Sequence, residues 1–224
     1  AKIYTDYTLF TANQEILKEV NKVFNFFDTN YNVQKFKHLI VSPHYTKKQL
    51  KHLIDEEIKN AKAGKEAYIK LKMNNITSYK MIDKLYEASR AGVKIQMIVR
   101  GICCLVPGIE GMSENIEVIS IVDKFLEHPR LFIFGNGGTP KVYISSADWM
   151  TRNISFRVEV GCPIYDKTIQ QELIDTFEIS WSDNVKARII NKVQDNTYRP
   201  QTTPALRSQV ALYEYYQHKN KITE

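Results

Sequence analysis

The stretch Gly92-Val-Lys-Ile-Gln-Met-Ile-Val-Arg-Gly101 decides how this chain is read. Val93, Ile95, Met97 and Val99 alternate and so share one face of a strand, which stops on an arginine followed by glycine. Just upstream, Ile82, Leu85 and Tyr86 recur at helical spacing with Gly92 past their end, which makes a helix feeding that strand. Further back, Ile69, Leu71 and Met73 alternate as another strand. A helix from Thr46 turns Leu50, Leu53, Ile54 and Ile58 to one side and is stopped by Gly64, and the apolar run 39–41 precedes it. Residues 3–10 read as a strand. Thr11-Ala-Asn-Gln-Glu caps a helix whose apolar face is Ile16, Val20, Phe24 and Phe27, closed by a loop at 28–32. Forward of Arg100, strands are expected at 116–122, 131–134, 142–145 and 158–162, with Gly135-Asn-Gly-Gly138 as a tight turn, then helices at 166–181 and 206–216. Strands alternating with helices give an α/β domain with a mostly parallel sheet flanked by helices and one hairpin.

The 224 residues are 43% hydrophobic, enough for a buried core, and carry 31 basic against 25 acidic side chains for a net charge of +6. That excess suits an anionic partner such as polyphosphate, nucleotide, nucleic acid or a membrane surface without choosing among them. The three cysteines, Cys103, Cys104 and Cys162, have no zinc or disulfide spacing and read as reduced thiols. His38, His44, His52 and His218 lack metal-ligand spacing, so no transition-metal site is expected. Lys47, Lys48 and Lys51 fall on the polar face of their helix and read as solvated. No signal peptide or membrane-spanning run is apparent, so a cytoplasmic location is expected, open to peripheral contact with a membrane. The chain opens without a methionine directly into an apolar stretch, as though inside an element of a longer protein.

A weak internal similarity fits that opening. Tyr4-Thr-Asp-Tyr-Thr-Leu-Phe10 and the helix Ile16, Val20, Phe24 lie on Arg157-Val-Glu-Val-Gly-Cys-Pro163 and the helix Ile169, Leu173, Phe177, with Asp6 on Glu159. Residues 1–38 are then the closing element of a first repeat.

Phosphate chemistry is most plausible around Glu127-His-Pro-Arg-Leu-Phe-Ile-Phe134. His128 and Arg130 stand two apart and can face the same way, a nucleophile or proton carrier beside a guanidinium that forks phosphoryl oxygens. Ser145-Ser-Ala-Asp-Trp-Met-Thr-Arg-Asn153 follows on the hairpin partner and can line the same mouth. Arg100 ends its strand where open α/β sheets bind ligands, although a surface arginine capping a strand fits as well. Arg157 shares that ambiguity, and Tyr4 is either a stacking or hydrogen-bonding group or simple packing.

Taken together, Ile98-Val-Arg-Gly-Ile-Cys-Cys-Leu-Val-Pro-Gly108, Ser120-Ile-Val-Asp-Lys-Phe-Leu-Glu-His-Pro-Arg130, Ser145 to Asn153, the opening Tyr4-Thr-Asp-Tyr-Thr-Leu-Phe and the late Asp183-Asn-Val-Lys-Ala-Arg188 resemble the C-terminal part of the large bacterial polyphosphate kinases. The resemblance implies a phospholipase D-like α/β domain at 39–224, preceded at 1–38 by the tail of a second, truncated unit of the same type. It implies reversible transfer of the terminal phosphate of ATP to inorganic polyphosphate through a phosphohistidine, with ATP/ADP and polyphosphate as partners and no nucleic acid. Mg2+ is the implied cofactor, its ligands expected outside these residues, and the full-length protein is expected to be a homo-oligomer. By position, Tyr4, Arg100 and His128 match the family's ATP-binding residues, with His128 catalytic, and Arg157 and Arg130 are assigned to phosphate. The histidine that is phosphorylated lies in a His-x-Lys motif upstream of the Tyr-Thr-Asp segment, so these residues alone are expected to be inactive. Two other readings are a phospholipase D-like phosphodiesterase or nuclease, disfavoured because Arg130 stands two after His128, and a non-catalytic nucleic-acid-binding domain, favoured only by charge.

Overall fold

The computed structural model describes residues 3–29 and 34–221. It opens with β1 (Tyr4–Thr5), then α1 (Gln14–Asp28) and β2 (Ile40–Val41). The strand expected over 3–10 is thus two residues long, because only Tyr4 and Thr5 find a partner ladder. α1 starts where the sequence places its cap, since Asn13 Oδ1 accepts from the backbone N–H groups of Glu15 at 3.0 Å and Ile16 at 3.2 Å. Its buried face differs from expectation. Ile16, Glu19 and Val23 are buried, whereas Phe24 is 62% and Phe27 60% exposed. Glu19 sets this rotation by accepting the N–H groups of Lys37, His38 and Leu39 at 2.6, 2.9 and 2.8 Å, a satisfaction that apolar periodicity does not reveal. The loop expected at 28–32 lies partly outside the described residues.

The chain continues through α2 (Thr46–Lys62), β3 (Tyr68–Met73), α3 (Tyr79–Arg90), β4 (Lys94–Val99) and β5 (Ile116–Ile121). Gly64, at φ +67°, leaves α2 in the left-handed conformation that glycine takes without cost. β6 (Leu126–Glu127), β7 (Arg130–Phe134), a 3-10 turn (Asn136–Gly138), β8 (Lys141–Ser145), α4 (Thr151–Ser155), β9 (Val160–Ile164), α5 (Lys167–Trp181), β10 (Ala187–Ile190) and α6 (Ser208–Lys221) complete it. Eight strands form one sheet in the order β10-β5-β4-β3-β7-β8-β9-β2.

Only β3, β4 and β5 run parallel to one another, and the remaining pairings of this sheet are antiparallel. The α/β class stands, but the mostly parallel sheet is corrected to a mixed one. A parallel neighbour needs a long crossover such as α3. After β5 the chain meets the turn at 135–140 and the single-turn α4, which reverse its direction instead.

Alternation on the central strands builds two cores. Leu71, Met97, Val118, Phe132 and Phe134 face Leu50, Ile54, Met81 and Leu85 of α2 and α3. Ile98, Ile119, Leu131 and Ile133 face Leu173, Phe177 and Trp181 of α5 on the other side. α1 covers the β2-β9 edge through Ile16 and Val23 against Leu39 and Val41. Because β7 runs antiparallel to β3, with Lys72 opposite Leu131, the carboxyl ends of β3 and β4 meet the start of β7 at one end of the sheet.

Candidate functional site

That end of the sheet carries His128. The β1-β6 ladder fixes the backbone before it, with Leu126 N–H donating to Ile3 O and His128 N–H to Thr5 O, both at 2.9 Å. Pro129 stiffens the next step. Underneath, Glu127 is held by Lys72, which also donates to Ser180 Oγ at 3.1 Å, and by Gln209 Nε2 at 2.9 Å. The imidazole sits between a carboxylate and a guanidinium. His128 Nδ1 lies 2.8 Å from Asp6 Oδ2, and Arg130 Nη1 lies 2.9 Å from Nδ1 and 3.0 Å from Nε2. A proton on Nδ1 satisfies Asp6 and turns the Nε2 lone pair to the Arg130 guanidinium, so a ligand reaches Nε2 by displacing that contact. The Tyr4 ring stands edge-on to the imidazole with centroids 5.7 Å apart.

Arg130 is anchored from behind. Its Nε donates to Asp148 Oδ1 at 3.2 Å and its Nη2 to Oδ2 at 3.4 Å. The buried Asp148 also accepts from Asn74 N–H and Asn75 Nδ2, each at 2.9 Å. Burial works against its ionisation, but the hydrogen bonds from Arg130, Asn75 and the Asn74 backbone outweigh it and hold its carboxyl below the usual range.

A concavity of about 510 Å³ opens in front of these groups, lined by His128, Arg130, Arg157, Ser145, Ser146 and Glu159 among others. Glu159 is tied down by Ser146 Oγ and Asn153 Nδ2, each donating at 2.5 Å. Cys162 also borders the space, but burial pushes its thiol and that of Cys103 up to about 11, so neither offers a thiolate.

Arg100 does not line this concavity. It stands half-buried at the end of β4, where its Nε donates to Asn74 Oδ1 at 2.8 Å, while Asn74 Nδ2 reaches the His128 carbonyl at 3.4 Å. One asparagine therefore links Arg100 to His128. Of the residues expected from sequence, His128, Arg130 and Arg157 share the mouth, Tyr4 touches His128, and Arg100 joins through Asn74. Asp6 had a signal in the internal similarity, where it fell on Glu159. Asp148 lies in the stretch 145–153 already expected to line the mouth, whereas Asn74 and Asn75 had no signal, because their roles depend on contacts between distant strands.

Gly101 makes this junction possible, since a Cβ there would come within 2.7 Å of Asn75 Oδ1 and 2.9 Å of Asn74 O. Gly101→Ala is expected to cost about 1–3 kcal/mol through forced displacement of the two asparagines. A urea unfolding midpoint equal to that of the unsubstituted protein would show that the junction is slack.

The residues present do not suit a divalent metal. Among the described residues there is no group of three or more His, Cys, Asp or Glu able to hold one. The carboxylates at the mouth are already engaged, Asp6 by His128, Asp148 by Arg130 and Glu159 by Ser146 and Asn153. Also among the described residues, no helix is long and apolar enough to cross a membrane.

Known proteins share this sequence pattern and fold. Residues 39–209 match the family model described as polyphosphate kinase C-terminal domain 2. The chain is 54% identical over 224 residues to a polyphosphate kinase of Vibrio parahaemolyticus, covering 100% of this chain and 32% of that protein. It superposes on the crystal structure of polyphosphate kinase from Porphyromonas gingivalis with a TM-score of 0.91 and 42% identity, covering 95% of this chain and 33% of that one. The phospholipase D family member Nuc of Salmonella typhimurium matches with a TM-score of 0.51 and 13% identity, covering 69% of this chain and 97% of Nuc, a likeness of fold alone. The chain thus spans about a third of the length of these kinases, and it belongs to the polyphosphate kinase family.

Proposed function

We propose that this chain supplies one wall of the active site of an enzyme that moves the terminal phosphate of ATP reversibly onto polyphosphate. The observation that carries the reading is the seating of His128 between Asp6 and Arg130 at a mouth wide enough for phosphate. Asp6 orients the imidazole, Asp148 holds the Arg130 guanidinium in place, and Asn74 sets Arg100 beside them. Such groups act on charge that builds on phosphoryl oxygens and need little rearrangement to do so.

In this reading a histidine of the preceding unit attacks the γ-phosphorus. A nitrogen–phosphorus bond forms as the bond to the β–γ bridging oxygen breaks, and ADP leaves. The terminal oxygen of polyphosphate then takes the phosphoryl group from that histidine. With both ring nitrogens protonated, His128 keeps Nδ1–H on Asp6 and gives the departing oxygen a hydrogen bond or the proton of Nε2, while Arg100, Arg130 and Arg157 neutralise phosphate oxygens and Tyr4 contacts the nucleotide. Magnesium, whose usual contribution is to offset phosphate charge, is assigned to residues outside this chain, because the carboxylates here are engaged.

The two-unit organisation is part of the proposal, with residues 1–38 closing a preceding unit and 39–224 forming the second. It is supported by the internal register, in which Val20 and Phe24 of α1 fall on Leu173 and Phe177 of α5. α5 buries those two against the sheet, whereas Phe24 is left 62% exposed, as a surface would be that a preceding sheet covers. The test is to supply ATP and magnesium to the full-length protein and to residues 1–224 alone. Polyphosphate is expected from the first and none from the second, and synthesis by residues 1–224 alone would overturn the divided site.

A further inference from the structure

We propose that the first half of α2 is a second polyphosphate-holding surface, separate from the catalytic mouth, that retains the distal part of a long chain while its end reacts. This rests on the reading of polyphosphate as substrate. An open groove of about 610 Å³ is lined by Pro43, His44, Lys47, Lys48, Lys51 and His52, with Asp55 at its far end.

Among the described residues the lysines of this groove have no carboxylate partner, while its His52 lies 3.9 Å from Glu56. Asp55 is engaged by Lys84 at 2.5 Å, Glu56 by Lys59 at 2.7 Å, and Glu57 accepts backbone N–H groups from Tyr68 at 3.2 Å and Asn136 at 2.7 Å. Among the described residues, Lys47, Lys48 and Lys51 have no carboxylate within 4.0 Å. No acidic residue stands in the first turn of α2, where the helix dipole favours one and disfavours the lysines found there. No acid among the described residues accounts for the three lysines, and an external polyanion would.

The groove and the mouth share no lining residue but are joined through the β2-β9 edge. Val41 pairs with Val160, and Ser42 N–H donates to Glu159 O at 2.9 Å, so Pro43 follows directly on the strand that neighbours the mouth's rim. Arg157 stands exposed on that rim, and α4 beside it buries Ile154 in the same core as Leu50 and Leu53 of α2. From Thr46 to His52 the helix advances about 9 Å, room for more than one phosphate in a row. The residue type fits as well, since lysine is a mobile point charge that follows a sliding polymer, whereas arginine forks a fixed pair of oxygens. The mouth is built with arginines and this groove with lysines.

Holding the chain at two places raises the local concentration of its reactive end, an advantage that a short chain cannot use. The test compares full-length enzyme with and without Lys47→Gln, Lys48→Gln and Lys51→Gln together, with Lys62→Gln/Lys65→Gln as a charge control. Equal melting temperatures establish that the exposed substitutions leave the fold intact. At low salt, KM for long-chain polyphosphate is expected to rise about tenfold in the triple variant, with kcat, KM for ATP and inhibition by tripolyphosphate unchanged. An unchanged KM, or an equal rise in the control, would overturn the proposal. So would loss of binding to phosphatidylserine vesicles with KM unaffected, which would make the groove a membrane surface. Absence of polyphosphate turnover in the unsubstituted enzyme would instead bring down the functional reading, and this role with it.

Discussion

His128→Ala in the full-length enzyme is expected to lower ATP-dependent polyphosphate synthesis at least tenfold, about 1.4 kcal/mol in the barrier. In the proposed mechanism the substitution removes the nitrogen assigned to the departing oxygen, and it leaves Asp6 and Arg130 without the ring that lies against both. The loss should appear in kcat, because a group used as charge moves between oxygens acts on the transition state more than on bound substrate. Arg100→Ala should fall into the same range. Arg100→Lys should not restore activity, since an ammonium cannot hold Asn74 and fork a phosphate at once. Asp6→Asn should have a smaller effect, because the amide keeps a partner for the ring but not the charge. Steady-state rates at saturating ATP check the series, and rates equal to that of the unsubstituted enzyme would mean that the site is misplaced.

The largest loss of stability is expected from Asp148→Ala, about 3–5 kcal/mol, because it strands a buried guanidinium and breaks two further hydrogen bonds. The side chains of Arg130 and Asp148 are only 11% and 7% exposed, so water replaces the lost partner incompletely. The same carboxylate makes stability depend on pH. Its pKa is lower in the folded protein than in the unfolded chain, so its contribution is fully present above the unfolded value, about 3.9. That contribution is lost as pH falls through the folded value. Asp148→Asn keeps the shape, is expected to cost less at neutral pH, and should flatten the decline in stability below about pH 4. Urea unfolding at pH 7 and pH 3 measures both effects. A steep acid decline that survives in Asp148→Asn would assign it to other carboxylates.

The sequence announces its local devices clearly. Asn13 and Asp166 cap α1 and α5 as their residue type suggests, Gly64 ends α2, and the alternation of β3, β4 and β7 places their side chains on the faces observed. His128 and Arg130 are legible as a pair for the same reason, a spacing of two on one strand entry. What stays hidden is whatever long-range topology supplies. The direction of β7, β8 and β9 follows from connections rather than from composition, and Asn74 acquires its meaning only where the ends of β3 and β4 meet the start of β7. Glu19 disguises the buried face of α1, because a carboxylate capping three backbone N–H groups looks like a surface residue in sequence. The lysines of α2 look merely solvated in sequence, since periodicity assigns a side chain to a face but does not show that the face is concave or that its acids are engaged elsewhere.

All of this turns on where the phosphates of ATP lie. A crystal structure of the full-length enzyme with a non-hydrolysable ATP analogue is expected to place the β- or γ-phosphate oxygens within about 3.2 Å of His128 Nε2 and of the Arg100 guanidinium. Triphosphate bound away from both, with His128 still facing only Asp6 and Arg130, would contradict the account.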